Sequence, residues 1–224
     1  MRLFTQFCCL GVLTFIAGPL LAQTSSFDLS AEGWTAEGDS AAPVAWHNAG
    51  GNPGGYISIT DAATGGTTYF VAPTSFLGNH VSAYSTSLTF DLRQQYSGSA
   101  NQFNAADVIL IGAGLTIVYD TSTNPSTSSW SSYSAPLSES AWHLGALTGS
   151  APSAAQFKAV LADLDALKIR AEYQTGGDVG FLDNVTLVPE PSTYSLFLAG
   201  FCVLFARLTR KTNTRLKKRK PHLK

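Results

Sequence analysis

Carboxylates are the side chains best supplied to do chemistry in this sequence. Between Gln23 and Val188 there are 14 Asp and Glu against four bases, Arg93, Lys158, Lys168 and Arg170. Asp183 stands out by its company. In Phe181-Leu-Asp-Asn-Val-Thr-Leu187, strand alternation places Phe181, Asp183, Val185 and Leu187 on one face, and three of these are apolar. Asp183 is therefore predicted on the core side. A lone buried carboxylate is costly and must be protonated, hydrogen-bonded or paired. Three solutions are open: a salt bridge to one of the few bases, Arg170 among them; backbone amides at a bend in the strand; or a cation. Ca²⁺ takes about six to eight oxygens from carboxylates and backbone carbonyls, which an acidic chain can supply.

Other reactive groups are poorly placed for catalysis. His47, His80 and His143 show no metal-ligand spacing, and no Gly-x-Ser-x-Gly elbow occurs. Cys8, Cys9 and Cys202 all fall near the termini, which leaves the central region without a thiol nucleophile or a disulfide. No pair of acids is marked as general acid and base. The acidic balance argues against nucleic acid as a partner and in favour of divalent cations. Trp34, Trp46, Trp130 and Trp142 could each stack on a sugar ring. Trp34 and Trp46 read better as core residues. Trp130 stands in a polar Ser- and Thr-rich stretch and is the ligand-binding candidate.

The elements that would position these groups are mostly strands. Short apolar runs are punctuated by Gly, Ser, Thr and Asn. Strands are predicted at 55–60, 67–72, 87–92, 107–112, 115–119, 130–136, 167–173 and 181–188. Val108-Ile-Leu-Ile111 is apolar throughout and belongs mid-sheet, followed by a hairpin turn at Gly112-Ala-Gly114. Asn52-Pro-Gly-Gly55 is a tight-turn sequence that could also bring backbone close to a ligand. One helix is expected from a capping box, Ser153 with Gln156, running to about Asp165 with Phe157, Val160, Leu161 and Leu164 on one face. The stretch from Asp120 to Ser134 reads as exposed loop and edge. The pattern is all-β: a two-sheet, jelly-roll-type sandwich with one short helix.

An ordered set of blocks then carries a resemblance. Phe27-Asp28, Glu32-Gly-Trp34, Trp46, Gly50-Gly-Asn-Pro-Gly-Gly-Tyr-Ile57 and Asp61 come first. Tyr69-Phe-Val-Ala-Pro73, Leu88-Thr-Phe-Asp91, Asp107-Val-Ile-Leu110, Trp142, Ile169-Arg-Ala-Glu-Tyr173 and Gly180-Phe-Leu-Asp-Asn-Val185 follow. The set resembles the laminin B (laminin IV type A) domain from roughly Phe27 to Val188. The resemblance implies a galactose-binding-like sandwich with a non-catalytic, extracellular role. Sandwiches of that group often join their first and last strands through Ca²⁺, which implies Asp28 as the partner of Asp183 and Asp61 as a secondary one.

The ends of the chain are of another kind. Residues 1–22 have a basic Arg2, an apolar run from Phe4 to Ile16 and a small residue at Ala22, as a secretory signal peptide does. The domain at 23–187 follows, and residues 188–224 close the chain. These last read Val188-Pro189-Glu190-Pro191-Ser192-Thr193, then an uncharged apolar run to Ala206, then nine Lys and Arg beginning at Arg207. A helix over about 193–208 would span roughly 24 Å against a hydrocarbon core of about 30 Å, with Arg207 and Arg210 able to snorkel. The basic tail would stay cytoplasmic. The segment resembles the PEP-CTERM sorting signal, with Pro189-Glu190-Pro191 as its motif and Arg207 closing the span. That resemblance implies an exosortase as processing partner, an inner-membrane precursor with a periplasmic domain, and release to the cell surface. Together these readings give an exported, non-catalytic matrix protein making adhesive or carbohydrate contacts in exopolysaccharide or biofilm. A polysaccharide hydrolase and a purely structural matrix protein are its rivals.

Overall fold

The structure is a computed structural model and describes residues 22–38, 43–61, 65–96 and 103–188. The predicted signal peptide before Ala22 and the sorting segment after Val188 lie outside the described residues. Among the described residues no helix is long and apolar enough to cross a membrane.

Among the described residues twelve strands and one α-helix follow in order: β1 (Gln23–Ser25), β2 (Thr35–Glu37), β3 (Ala45–His47), β4 (Tyr56–Asp61), β5 (Tyr69–Val71), β6 (Ser87–Tyr96), β7 (Val108–Gly112), β8 (Leu115–Tyr119), β9 (Ser131–Pro136), β10 (Trp142–Leu144), α1 (Ala154–Ala162), β11 (Leu164–Arg170) and β12 (Asp178–Leu187). They form two antiparallel sheets, as the strand patterning predicts. One runs β3-β4-β12-β6-β9, with β1 added on β12, and the other runs β10-β8-β7-β11-β5-β2. The eight predicted strands are all present. β1, β2, β3 and β10 are additional, and at three residues each they are too short for alternation to announce them.

A single apolar cluster fills the space between the sheets. Leu88, Phe90 and Leu92 of β6 and Leu182, Val185 and Leu187 of β12 meet Leu110, Leu167 and Ile169 of the opposite sheet. Trp34 is buried as expected, edge-on to Phe27 and Phe76, with its indole N–H donating to Ser25. Trp46 departs from its predicted core place. It lies on β3, the outermost strand of its sheet, and is 40% exposed. There its indole N–H donates to the carbonyl of Phe27.

The capping box forms as predicted: the Ser153 hydroxyl accepts from Gln156 N–H, and the Gln156 side chain accepts from Ser153 N–H. The helix stops earlier than its apolar face suggests. It ends at Ala162, and Leu164 opens β11 instead of extending the helix. The reason lies at Gly112 of β7, where a Cβ would stand 2.6 Å from the carbonyl of Val160 and 2.3 Å from that of Asp163. Only a glycine lets the helix end come so close to β7 that the chain passes directly into the sheet. The hairpin between β7 and β8 turns on Ala113 and Gly114, both at positive φ (49° and 72°), as a two-residue turn with both central residues left-handed requires.

Candidate functional site

β12 sits at the centre of its sheet and decides which side chains face outward. Leu182 lies opposite Ile57 and Leu92, all three in the core. Phe181, opposite Ser58 and Arg93, therefore points to the outer face, and so does Asp183, opposite Asp91. The register slips between Asp183 and Thr186, and Asn184 has φ of 51°. This bulge inserts one residue, so that Val185 and Leu187 face the core while Phe181 and Asp183 do not. The core-side placement expected for Asp183 from unbroken alternation is thus corrected.

Asp183 is nonetheless fully buried. β4 pairs with residues 178–182 of β12 and β1 with residues 185–187, which leaves an interval at Asp183 and Asn184. The turn at Gly50–Gly55 fills it. Asn52 N–H donates to Asp183 Oδ2 at 2.6 Å, and Asn184 N–H donates to Oδ1 at 2.7 Å. The side-chain amides of Asn52 and Asn184 both donate to Asp91 Oδ2, at 3.1 and 2.8 Å. Asp28 holds the other end of the turn, its Oδ1 accepting from Gly55 N–H at 3.3 Å. At Gly51 a Cβ would come within 2.2 Å of Gly55 O and 2.6 Å of Asp183 Oδ2, so the turn closes only on glycine. Burial pushes the Asp183 carboxyl up to about 6. The two backbone amides oppose this, and the charges of Asp91 and Asp28 add to it.

The structure thus brings Asp28 and Asp183 to one turn, with Asp91 beside them. Asp61 is elsewhere. It lies opposite Asp178, five residues along β12 from Asp183, or roughly 17 Å at strand rise. Arg170 is not the partner of Asp183 either. Buried in the sandwich, it donates to Asp107 Oδ1 at 3.3 Å and to the carbonyls of Phe103 and Ala105. Among the described residues, no three His, Cys, Asp or Glu side chains converge in a way that could hold a metal ion.

Trp130 lies just before β9, on the outer face of the β12 sheet. Its ring stands edge-on to Tyr56 at 5.6 Å and to Phe181 at 6.4 Å, and its indole N–H donates to Gly50 O at 3.1 Å. His47 stacks on Tyr56 at 4.4 Å and its Nε2 lies 2.9 Å from Ser58 Oγ. Arg93 lays its guanidinium over Phe181 at 4.3 Å and over Trp130 at 5.4 Å. An aromatic band therefore crosses the sheet from β3 through β4 and β12 to the start of β9. Along the same face, toward the bulge, lies a groove of about 480 Å³ lined by Thr89, Asp91, Ser132, Ser134, Asn184 and Thr186 among others. That is within the size of ordinary ligand clefts, roughly 300–1,000 Å³. Residue types alone pointed to Trp130. Tyr56, Phe181 and Arg93 were missed because only cross-strand register puts them together: Tyr56 lay on a predicted strand, but Arg93 falls just past the strand end expected at residue 92, and unbroken alternation put Phe181 on the core side with Asp183.

Fold and blocks together define a known class of domain. Residues 69–190 match the family Laminin B (Domain IV), and the chain belongs to that family. Laminin subunit gamma-1 of Danio rerio is 33% identical over 174 residues, which is 74% of this chain and 10% of that one. Laminin subunit gamma-2 of Homo sapiens is 34% identical over 173 residues, 74% of this chain and 13% of that one. The chain therefore spans only about a tenth of the length of these relatives. Among solved structures, the L4b domain of human laminin alpha-2 superposes with a TM-score of 0.57 at 12% identity, over 77% of this chain and 100% of that one.

Proposed function

We propose that this chain is an exported, non-catalytic matrix protein that contacts polysaccharide through the outer face of the β12 sheet. The observation that carries the reading is the continuity of that face. The band of Tyr56, Phe181 and Trp130 runs into a groove of hydroxyl, amide and carboxylate side chains. A pyranose has the matching two-sided chemistry: apolar C–H faces for rings, and equatorial hydroxyls for Asp, Asn, Ser and Thr. The turn that buries Asp183 also receives the Trp130 indole, so the bulge fixes the band and the groove relative to each other. The extracellular setting is supported by membership of a laminin domain family and by the signal-like residues 1–22.

Sorting belongs to the same reading. Val188-Pro-Glu-Pro-Ser-Thr193, the apolar run and Arg207 support recognition by an exosortase, with cleavage near Pro189–Ser192 and loss of the basic tail. The reading also includes one structural Ca²⁺ on Asp28 and Asp183, whose carboxylates both bond to the Gly50–Gly55 turn, at Gly55 N–H and Asn52 N–H respectively.

A glycan array probed with the domain at 23–187 tests the reading. Retention of a set of glycans by the wild type, weakened in Trp130→Ala, is expected. A folded domain that retains no glycan would leave the purely structural rival, and turnover of a bound polysaccharide by the pure domain would favour the hydrolase.

A further inference from the structure

We infer that the glycan-contact face takes an acidic sugar, with Arg93 as the residue that recognises its carboxylate. The inference rests on the carbohydrate reading above and names the class of sugar.

The domain holds four bases among 14 acids, and the structure accounts for three of them. Lys168 is bonded to Glu37, Arg170 to Asp107, and Lys158 lies over the Tyr84 ring, whose hydroxyl donates to Glu139. Arg93 is the exception. Among the described residues no carboxylate pairs with it, and its Nε is buried without a hydrogen-bond partner. In so acidic a domain an unpaired guanidinium has many carboxylates to turn to. Here its direction is fixed instead by two rings, Phe181 at 4.3 Å and Trp130 at 5.4 Å. Cation–π contacts hold the plane of the group but leave its terminal N–H groups uncommitted. A planar fork held in advance is the geometry that accepts a carboxylate through two parallel hydrogen bonds.

Position adds a second argument. Arg93 and Asp91 are both on the outer face of β6, two residues or roughly 7 Å apart. Asp91 lines the groove, and its Oδ2 already accepts from two side-chain amides. That end of the face repels a carboxylate and accepts sugar hydroxyls. The face is therefore graded, with a cation over aromatic rings at one end and acceptors at the other. A polymer charged on every residue would meet Asp91 with its second carboxylate, and the surplus of acids on the domain would repel it further. The fitting ligand is a chain in which uronate residues are spaced by neutral ones. Its carboxylate is placed on Arg93, one sugar ring against Trp130, and a neutral neighbour lies in the groove.

Matched oligosaccharides test this. A panel bearing spaced glucuronate, galacturonate or mannuronate is titrated into the domain, each beside its carboxyl-reduced counterpart, in which a hydroxymethyl group replaces the carboxylate. At least one uronate form should bind about tenfold or more tightly than its reduced twin, with affinity falling as salt is raised. Arg93→Gln should erase that preference and its salt dependence, while Arg93→Lys should keep part of both. A circular dichroism melt confirms that each variant is folded. Equal binding of both forms, or an unchanged preference in Arg93→Gln, overturns the inference and leaves the carbohydrate reading standing. Binding of neither form, with an empty glycan array, removes both.

Discussion

Asp178 and Asp183 carry the most telling titrations in the molecule. Burial raises each to about 6 from an ordinary 3.8; backbone amides oppose the shift, and a neighbouring acid, Asp61 for Asp178 and Asp91 for Asp183, adds to it. A carboxyl with a raised folded pKa binds its proton more tightly in the fold than in the unfolded chain. The fold therefore takes up protons between about pH 6 and pH 4, and stability increases as pH falls through that window. With chelator present, so that no cation holds Asp183 ionised, the melting temperature is expected to be higher at pH 5 than at pH 7.5; a fall over the same range would contradict these two shifts. Asp178→Asn isolates one of them. Asp178 Oδ2 accepts from Tyr173 and Gln174 N–H, while Oδ1 is buried without a partner. An asparagine keeps the accepting oxygen and brings no charge, so at pH 8 this variant should melt higher than the wild type and with a flatter pH profile. Arg170 behaves oppositely. Arg170→Met leaves Asp107 as an unpaired buried charge and should cost about 3–5 kcal/mol in a denaturant melt. Residue types made Asp183 conspicuous in the sequence, but not Asp178, whose burial follows from its place opposite Asp61 on the inner face of the sheet.

The bulge in β12 and the turn at Gly50–Gly55 form the element on which the outer face depends. Gly51→Ala would drive a Cβ into Gly55 O and Asp183 Oδ2. Overpacking of this kind costs about 1–3 kcal/mol, or several degrees of melting temperature in a domain of this size. Because Trp130 is tied to Gly50 O, the same variant should also lose glycan affinity. A Gly51→Ala domain that melts and binds as the wild type does would show that the turn positions nothing. The Ca²⁺ proposed for Asp28 and Asp183 is checked on the same element. The melting temperature should rise with Ca²⁺, by an amount corresponding to about 2.7 kcal/mol at a hundredfold excess over Kd, and the shift should vanish in Asp183→Asn. A melt indifferent to Ca²⁺ and to chelator removes the ion. The sequence made this element half legible. Asn52-Pro-Gly-Gly55 announced a turn, and Phe181 to Leu187 announced a strand. The bulge between them did not show, because Asn184 at positive φ leaves the residue pattern alternating while the backbone skips a place. Helix α1 shows the same limit. Its cap was written in Ser153 and Gln156, whereas its end is set by Gly112, on a strand some fifty residues earlier.

At the scale of the whole molecule, a sandwich of the laminin B family presents one sheet face that joins aromatic rings, an unpaired guanidinium and a polar groove. Two-sheet architecture was legible because most strands alternate, and the core residues of β6, β7 and β11 follow that alternation closely. The face itself was legible only in Trp130. Its other members are ordinary aromatic and basic residues whose meeting depends on β4, β12 and β6 being neighbours, which no local pattern encodes. Processing is decided separately: mass spectrometry of the exported protein should find no peptide from Arg207 to Lys224, and recovery of Lys217–Lys224 on the mature form would contradict exosortase sorting. The claim that the outer face contacts polysaccharide is tested most directly by calorimetric titration with a glycan retained on the array. The domain is compared with Trp130→Ala and with Lys168→Ala, which lies on the other sheet. Binding about tenfold weaker in Trp130→Ala, a loss of about 1.4 kcal/mol, with Lys168→Ala unchanged, is the predicted result. Equal affinity in the wild type and a folded Trp130→Ala would contradict it.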